Sequence, residues 1–424
     1  MIKFILKGIL RDRSRSLFPV LVVAIGVFLT VLFYSYMGGV MTSFLDTSAK
    51  FDTGHLKIMS RAYAENSDQM PNDLAYIGVE RLINELKKDF PGYVWTKRIR
   101  FGGLLDVPDD SGETRAQGPV AGLALDLFTP DSLEWKLLGI KDSIVQGNAP
   151  EKPGEILISD EFAKRLGISP GETVTLIGST MYGSMAAANF TVAGTVHFGI
   201  TALDRGAVVA DVTDIQMALD MEDAAGEILG FFDNFVYREE EAGLAALKFN
   251  VKYEGEKDEF SPVMMSLHEQ GGMIDMMGMI NLYLPVLVIV FVIIMSIVLW
   301  NAGLIGSLRR YGEIGVRLAM GESKGHLYRS TIIESIFLGV IGTVIGTALA
   351  LVIAFWLQEK GFNISQMMQS STLLMNDVIR AKVTPMSFVI GFIPGLLSNV
   401  FGSSIAGIGI YKRKTAQLMK ELEV

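Results

Sequence analysis

Residues 299–346 read LWNAGLIGSLRRYGEIGVRLAMGESKGHLYRSTIIESIFLGVIGTVIG, and this stretch decides the fold. An apolar run ends at Ser307, a polar linker occupies residues 308–330, and a second apolar run begins near Thr331. Two apolar runs of bilayer length joined by so short a linker must enter and leave the membrane on the same side. The positive-inside rule makes that side the cytoplasm, because the linker carries these basic residues: Arg309, Arg310, Arg317, Lys324 and Arg329.

The linker is predicted to contain a short helix with a charged face. Arg309, Glu313 and Arg317 recur at i, i+4 and i+8, so that they share one side of such a helix. Gly321 is expected to end the helix in a left-handed turn, and Ser323 is expected to cap the next one. A structured, charged helix held flat under a membrane is a part that another protein can push.

The linker also carries a family pattern, since residues 309–323 read RRYGEIGVRLAMGES. This run resembles the R-x-x-E-I-G-x-x-R-A-x-G-A-s signature of the MacB/FtsX/Lol-type ABC transporter permeases. One departure is Leu318-Ala319-Met320, where the family usually has Arg-Ala followed by an apolar residue. The resemblance implies that the segment is a coupling helix resting on the ATP-binding subunit. The implied coupling residues are Arg309, Arg310, Glu313, Ile314, Gly315, Arg317 and Gly321.

The third apolar run resembles the same family, because Glu334 is followed by spaced glycines. These are Gly339, Gly342 and Gly346. Small residues at such spacing let a neighbouring membrane helix approach closely. We therefore predict that this face of the third span packs against another helix.

Composition extends the membrane assignment to the whole chain. It has 424 residues, 50% of them hydrophobic, and a mean hydropathy of +0.37. Four runs are long enough to span a bilayer, and the first lacks an A-x-A-like cleavage site, which predicts a retained anchor. The predicted segments are a cytoplasmic amphipathic helix (1–16), a first span (17–40), an extracytoplasmic α+β domain with stalk helices (41–279), a second span (280–307), the coupling segment (308–330), a third span (331–357), an extracytoplasmic loop (358–384), a fourth span (385–410) and a cytoplasmic tail (411–424).

Charge is sorted along the chain in a way that predicts topology. Residues 41–279 hold 38 acidic and 20 basic side chains, whereas the rest of the chain holds 8 acidic and 17 basic ones. Fourteen of those 17 lie in residues 1–16, 308–330 and 411–424. The positive-inside rule therefore places both termini in the cytoplasm and the acidic domain outside.

The domain between the first two spans shows alternating strand and short-helix patterns. Residues 54–59 and 94–100 read as strands, as does the stretch around residues 103–107, with a turn at 108–112. Residues 72–90 predict an amphipathic helix with one buried face, formed by Val79, Leu82, Ile83 and Leu86. The pattern predicts an α+β domain of sufficient size for its own core.

The second half of this domain again resembles the permease family. Residues 153–159, 162–168 and 170–176 are similar to the family's strand, helix, glycine turn and strand. Residues 190–204 resemble a run of the lipoprotein-releasing branch. We interpret these runs chiefly as scaffold.

Methionines cluster just before the second span. Methionine is flexible and polarizable, and it suits apolar partners of variable shape such as acyl chains. One hypothesis is a surface for apolar cargo, and the alternative is a seam between two stalk helices. The candidate residues are Met264, Met273, Met276 and Met277.

Several chemistries have no signature in the sequence. It has no cysteine, and its four histidines are scattered without metal-ligand spacing. No G-x-x-x-x-G-K-[ST] motif occurs, so we predict that ATP and Mg²⁺ are held by a partner ATPase and that this chain binds no cofactor or metal. There is no basic stripe that would favour nucleic acid.

The sequence therefore predicts a non-enzymatic permease subunit of an ABC transporter in the inner membrane. The resemblance implies two ATP-binding subunits and a second permease, identical or paralogous. Its lead function is lipoprotein release, with lipoprotein cargo and an extracytoplasmic carrier as further partners. The alternatives are MacB-like efflux of a drug, peptide or toxin, an FtsX-like regulator of cell-wall hydrolases, and a membrane-anchored sensor without an ATPase.

The predicted topology is testable in a chain without cysteine. Single cysteines at Asp109 and Lys414 should behave oppositely towards an impermeant thiol reagent in intact cells, because the first position is predicted outside and the second inside. Labelling of position 414, or failure to label position 109 until the cells are lysed, would overturn the orientation.

Overall fold

The computed structural model describes residues 13–109, 111–130, 132–198, 204–256, 258–308, 311–363 and 378–412. Four parts of the sequence predictions lie outside the described residues. They are most of the N-terminal amphipathic helix, the pair Arg309 and Arg310, the middle of the loop predicted between the third and fourth spans, and the tail beyond residue 412.

The α-helices are bounded as follows: α1 Arg13–Ser48, α2 Arg61–Glu65, α3 Val79–Asp89, α4 Leu133–Leu137, α5 Asp160–Leu166, α6 Val212–Ala218, α7 Glu239–Tyr253, α8 Gly271–Leu308, α9 Tyr311–Ala319, α10 Lys324–Lys360 and α11 Asn399–Lys412. The strands are β1 Leu56–Ser60, β2 Tyr76–Ile77, β3 Tyr93–Pro108, β4 Thr114–Leu125, β5 Ile144–Gly147, β6 Glu155–Ser159, β7 Thr173–Ser179, β8 Met185–Val196, β9 Ala207–Asp211, β10 Ala224–Ala225, β11 Glu227–Phe232, β12 Pro262–Ser266, β13 Phe362–Asn363 and β14 Val378–Ile379.

The described residues divide into a helical unit, formed by those within 13–43, 279–363 and 378–412, and an inserted unit, formed by those within 44–278. Within the described residues, four helical segments are long and apolar enough to cross a membrane, as the sequence predicts. They are Leu17–Thr53, Gly272–Ala319, Lys324–Lys360 and Pro385–Ile408. The first, second, third and fourth segments all contribute to one buried cluster, which contains Val23, Val27, Val31, Leu299, Ala350 and Ile390.

The fourth segment is irregular where the sequence places Pro394. It begins with a 3₁₀ turn, Pro385–Phe388, continues as a π-helical turn, Ile393–Ser398, and then becomes α11. Proline lacks an N–H and cannot complete the regular α-helical ladder, so the backbone adopts a wider turn there.

The inserted unit is built on one mixed sheet. The strand order is β12-β1-β11-β3-β4-β9-β6-β8-β5, and β7 pairs with both β3 and β8. The two strands predicted at 94–100 and 103–107 are one long strand, β3. Its first half pairs with β11 and its second half with β7, while β4 pairs with it from Arg98 to Pro108. Gly103 permits this because a side chain there would collide with the Ile177 carbonyl on β7.

The helix predicted over residues 72–90 is shorter than expected. It begins at Val79, after Gly78 in a left-handed conformation (φ 88°), and residues 72–74 form a separate 3₁₀ turn. Pairing of β2 with β10 occupies the residues between them. The predicted buried face is confirmed: Val79, Leu82, Ile83 and Leu86 are all buried.

The two ends of the inserted unit are joined by backbone pairing. Strand β1, which follows α1, runs antiparallel to β12, which precedes α8. Leu267 N–H donates to the His55 carbonyl at 3.2 Å, and the Gln270 side-chain amide donates to the Thr53 carbonyl at 2.9 Å. The chain therefore leaves the inserted unit beside the point at which it entered.

A buried guanidinium ties this entry point to the sheet. Arg98 on β3 forms a bidentate pair with Glu134 on α4, with Nε···Oε1 at 2.9 Å and Nη2···Oε2 at 2.7 Å, and both side chains are buried. Its remaining nitrogen, Nη1, donates to the Lys50 carbonyl at 2.7 Å. That carbonyl belongs to the π-helical turn Ala49–Thr53, which continues α1 and leaves carbonyls without helical partners.

A second group of charges surrounds the same turn. Lys57 lies 3.1 Å from Asp52 and 3.0 Å from Glu227, and Arg100 contacts both of these carboxylates. Glu227 is buried between the cations of Lys57 and Arg100, so its carboxylate is not left without an opposite charge.

Replacing Arg98 with methionine should strongly destabilise the inserted unit. The substitution leaves the Glu134 carboxylate buried without its cation, which costs roughly 3–5 kcal/mol. The double variant Arg98→Met/Glu134→Leu should regain much of this loss, because it buries no charge. Thermal unfolding and limited proteolysis of the full chain in detergent would measure the effect. A single variant as stable as the wild type, or a double variant less stable than the single one, would contradict it.

The environment of His55 predicts a dependence on pH. Burial lowers the pKa of His55 from 6.5 to about 4, with a further contribution from the Arg238 charge. The folded protein therefore keeps His55 neutral, and its Nδ1 accepts the Phe232 N–H at 3.1 Å. The unfolded chain binds a proton more readily, so stability is complete above about pH 6.5 and is lost as the pH falls towards 4.

His55→Asn should flatten this dependence, because asparagine retains an acceptor for Phe232 N–H but does not titrate. Unfolding of both proteins would be compared between pH 7 and pH 4. His197 and His268 are present in both, so the difference between the two profiles isolates His55. Parallel profiles would refute the assignment.

Candidate functional site

The linker between the second and third spans contains the predicted helix, α9. It ends in a Schellman turn: Gly321 has φ 94°, its N–H donates to the Leu318 carbonyl, and Glu322 N–H donates to the Arg317 carbonyl. Ser323 then caps α10 by accepting the His326 N–H. The predicted roles of Gly321 and Ser323 are confirmed, and residues 324–330 of the linker form about the first two turns of α10.

One face of α9 packs on its own chain. Tyr311 and Ile314 are buried with Leu327 of α10, and the Tyr311 hydroxyl donates to the Ala406 carbonyl of α11. Gly312 and Gly315 are buried on the same side. The helix is therefore fixed to the third and fourth spans through its apolar side.

This packing corrects two of the coupling residues inferred from the sequence. Ile314 and Gly315 were expected to meet an ATPase, but they face the interior of the helical unit. The helical period of 3.6 residues places them on the same side as Tyr311, and that side is already occupied. Only a residue on the opposite face can meet a partner without unfolding the linker.

The outward face of α9 consists of Glu313 together with apolar side chains. Glu313 is exposed, Val316 is 40% exposed and Met320 is 75% exposed. The sequence analysis identified Glu313 but missed Val316 and Met320. Val316 follows Glu313 by three residues and Met320 follows Val316 by four, and this helical spacing places all three on one face.

Arg317 pairs with a residue that the sequence analysis did not consider. Its Nε lies 3.5 Å from Glu322 Oε2, and His326 Nε2 lies 3.5 Å from the other oxygen of the same carboxylate. The Schellman turn brings these positions together, because it folds the residue after the left-handed glycine back over the last turn. The pair is partly exposed and contributes about 0–1 kcal/mol.

The glycine face of α10 packs closely, as predicted. A side chain at Gly342 would meet Val23 of α1 at 2.7 Å, and one at Gly346 would collide with the Ala24 carbonyl. A side chain at Gly339 would lie 3.2 Å from Leu396 of the fourth segment. The third span is thus wedged between the first and the fourth.

The methionine hypothesis is wrong for Met264. Its side chain is fully buried, because the alternation of β12 points it into the core of the inserted unit, and its backbone forms two hydrogen bonds with the Asn250 side chain. Met273 and Met277, one turn apart on α8, are also buried, and Met276 is half-buried. These positions fit the alternative of a packing seam better than an open cargo surface.

Within the part of the chain that the structure describes, no group of three His, Asp or Glu side chains is arranged to hold a metal ion.

Comparison with known proteins assigns both units. Residues 16–234 match a family model described as the MacB-like periplasmic core domain, and residues 285–415 match the FtsX-like permease C-terminal model. Two curated relatives, each the lipoprotein-releasing system transmembrane protein LolC from a strain of Xylella fastidiosa (9a5c and Temecula1), are 25% identical over 236 residues. The match covers 54% of this chain and 54% of each relative, so the chain spans about half the length of these proteins.

Among solved structures, the periplasmic region of MacB from Actinobacillus actinomycetemcomitans aligns with 14% identity and a TM-score of 0.35. The alignment covers 51% of this chain and 90% of that one. The MacB-like model alone covers more than half of the present chain, and the FtsX-like model covers the remaining spans. The chain therefore belongs to the MacB/FtsX/Lol-type family of ABC transporter permeases.

Proposed function

We propose that this chain is the permease subunit of an ABC transporter in the inner membrane, with both termini in the cytoplasm. One observation carries the proposal: α9 is anchored through its inner face and presents Glu313, Val316 and Met320 outward. A helix held in this way moves together with the spans on which it packs. An ATPase that grips its outer face would therefore move α10 and α11.

The motor in this proposal is a pair of ATP-binding subunits, which hold the ATP and Mg²⁺. A second permease, identical or paralogous, completes the membrane part. In support, both family models belong to permeases, and the sequence has no phosphate-binding loop of the P-loop type. This chain would turn closure of the ATPases into motion of its inserted unit, without chemistry of its own.

Lipoproteins are the cargo that we favour, released from the inner membrane to an extracytoplasmic carrier. Support comes from the two LolC relatives, whose name describes a lipoprotein-releasing system. Residues 190–204 also resemble a run of the lipoprotein-releasing branch. The burial of Met264, Met273 and Met277 removes the methionine cluster as a candidate cargo surface, so it does not support this proposal.

Efflux of a drug, peptide or toxin is the second candidate. It is favoured by the match of the inserted unit to a MacB-like model over residues 16–234. Transport assays with a lipid-anchored and a soluble substrate would separate the two.

Glu313→Ala should uncouple the transporter without unfolding it. Glu313 is exposed in the isolated chain, so the loss there is at most about 1 kcal/mol. In a docked complex the same group is partly desolvated, and its loss costs roughly 2–5 kcal/mol. Val316→Asp should act in the same direction, because it places a charge in an apolar contact. Binding of the ATPase and cargo-stimulated ATP hydrolysis would be measured in the reconstituted complex.

Glu359→Ala is the matched control. It makes the same change at an exposed position near the C-terminal end of α10, the end remote from α9. It should leave coupling intact. Gly315→Leu is unsuitable as a docking test, because Gly315 is buried and its replacement should lower the yield of folded protein. If Glu313→Ala and Val316→Asp both bind and stimulate the ATPase as the wild type does, α9 is not the coupling element.

A further inference from the structure

Helix α7 of the inserted unit is apolar on two opposite faces. Its inner face is buried against the unit's own core through Ala242, Ala245, Ala246 and Phe249. Asn250, beside this face, hydrogen-bonds to both backbone groups of Met264 on β12. The inner face thus supplies the apolar packing of α7 on its unit.

The opposite face carries a stripe of large apolar side chains. Leu244 is 66% exposed, Leu247 is 62% exposed and Val251 is 67% exposed. Their spacing of three and four residues is that of the a and d positions in a two-helix seam. An apolar helix face is normally covered, and the described residues cover only one of the two apolar faces of α7.

The charges of α7 indicate what covers the stripe. Its first turn is acidic, with Glu239, Glu240 and Glu241, whereas its second half carries Lys248 and Lys252. Two copies of such a helix attract each other when they run antiparallel, because each acidic end then faces a basic half. A parallel pair would place like charges together, and an anionic lipid surface would repel the acidic turn.

The positions of the charges also fix the register. With Leu244 as an a position and Leu247 as a d position, an antiparallel seam packs Leu244 of one copy on Leu247 of the other. Glu241 and Lys248 are then both e positions, which flank the seam and meet across it. By two-fold symmetry the same pair forms twice, as an isologous interface requires.

Both flanking charges are accessible for this contact. Glu241 lies on the surface, where Arg238 is its neighbour at 3.0 Å. Lys248 is exposed, with its ammonium 5.1 Å from the centre of the Phe90 ring. Two other charges of α7 also have partners: Glu239 lies 2.8 Å from His268, and Lys252 lies 3.1 Å from Glu85.

We infer that α7 is a self-association surface, paired antiparallel with α7 of a second copy of this chain. Leu244 packs on the partner's Leu247, and Glu241 faces the partner's Lys248. The inference rests on the permease pairing proposed above, and it makes the second permease an identical copy.

Disulfide cross-linking tests the register directly, because the sequence contains no cysteine. Full-length chains carrying Leu244→Cys and Leu247→Cys, with different tags, would be co-expressed and oxidised mildly in membranes. The mixed 244–247 product should exceed either same-position product at least threefold, since same-position pairs are offset by three residues, or about 4.5 Å. Lys252→Cys, which faces away from the seam, is the control and should not cross-link.

Charge reversal tests the flanking pair. Glu241→Lys alone, or Lys248→Glu alone, replaces two attractions by two repulsions and should lower the mixed cross-link about three- to tenfold. The double variant E241K/K248E restores opposite charges across the two-fold axis and should regain the wild-type yield. Failure of the double variant to recover would overturn the register.

The mass of the detergent-solubilised complex separates this inference from the pairing on which it rests. A complex with two copies of this chain and no mixed cross-link would overturn the α7 surface and leave the pairing intact. One copy of this chain beside a paralogous permease would overturn the α7 surface alone, and one copy without any second permease would overturn both. Stronger same-position than mixed cross-links would indicate a parallel contact and would also overturn the inference.

Discussion

The inserted unit depends on one buried guanidinium. Arg98 uses its planar fork on Glu134 and its remaining nitrogen on the Lys50 carbonyl, so a single side chain joins the central strand, a short helix and the end of α1. Arginine suits this role because its donors are fixed in one plane. The arrangement is stable only as a set, since removal of either charge leaves the other buried and unpaired.

The same entry point is closed from the other side by the pairing of β1 with β12. A domain inserted between two membrane helices must return the chain close to where it left, and backbone pairing of its first and last strands achieves this. In the helical unit, α9 is fixed comparably by Tyr311 and Ile314. In each unit, contacts between residues far apart in sequence fix a segment next to a membrane helix.

Local patterns predicted elements better than their limits or contacts. The buried face of α3 was predicted correctly, because helical periodicity depends only on residues close together in sequence. The predicted start of this helix was wrong, because the residues just before Val79 pair as β2 with β10. The two strands predicted at 94–100 and 103–107 are one strand, β3, because Gly103 leaves room for β7 to pair with its second half. Met264 was assigned to a surface because nothing local reveals that β12 turns it inward.

The sequence by itself determined the four apolar spans, the charge sorting, the short linker helix and its Schellman turn at Gly321, because each depends on composition or on residues close together in the chain. Only the tertiary structure decided which side of α9 is free, that Arg98 would be paired with Glu134, and that the exposed stripe of α7 has no cover within the described residues. These outcomes depend on contacts between residues far apart in sequence, and on which of two apolar faces the rest of the chain happens to bury.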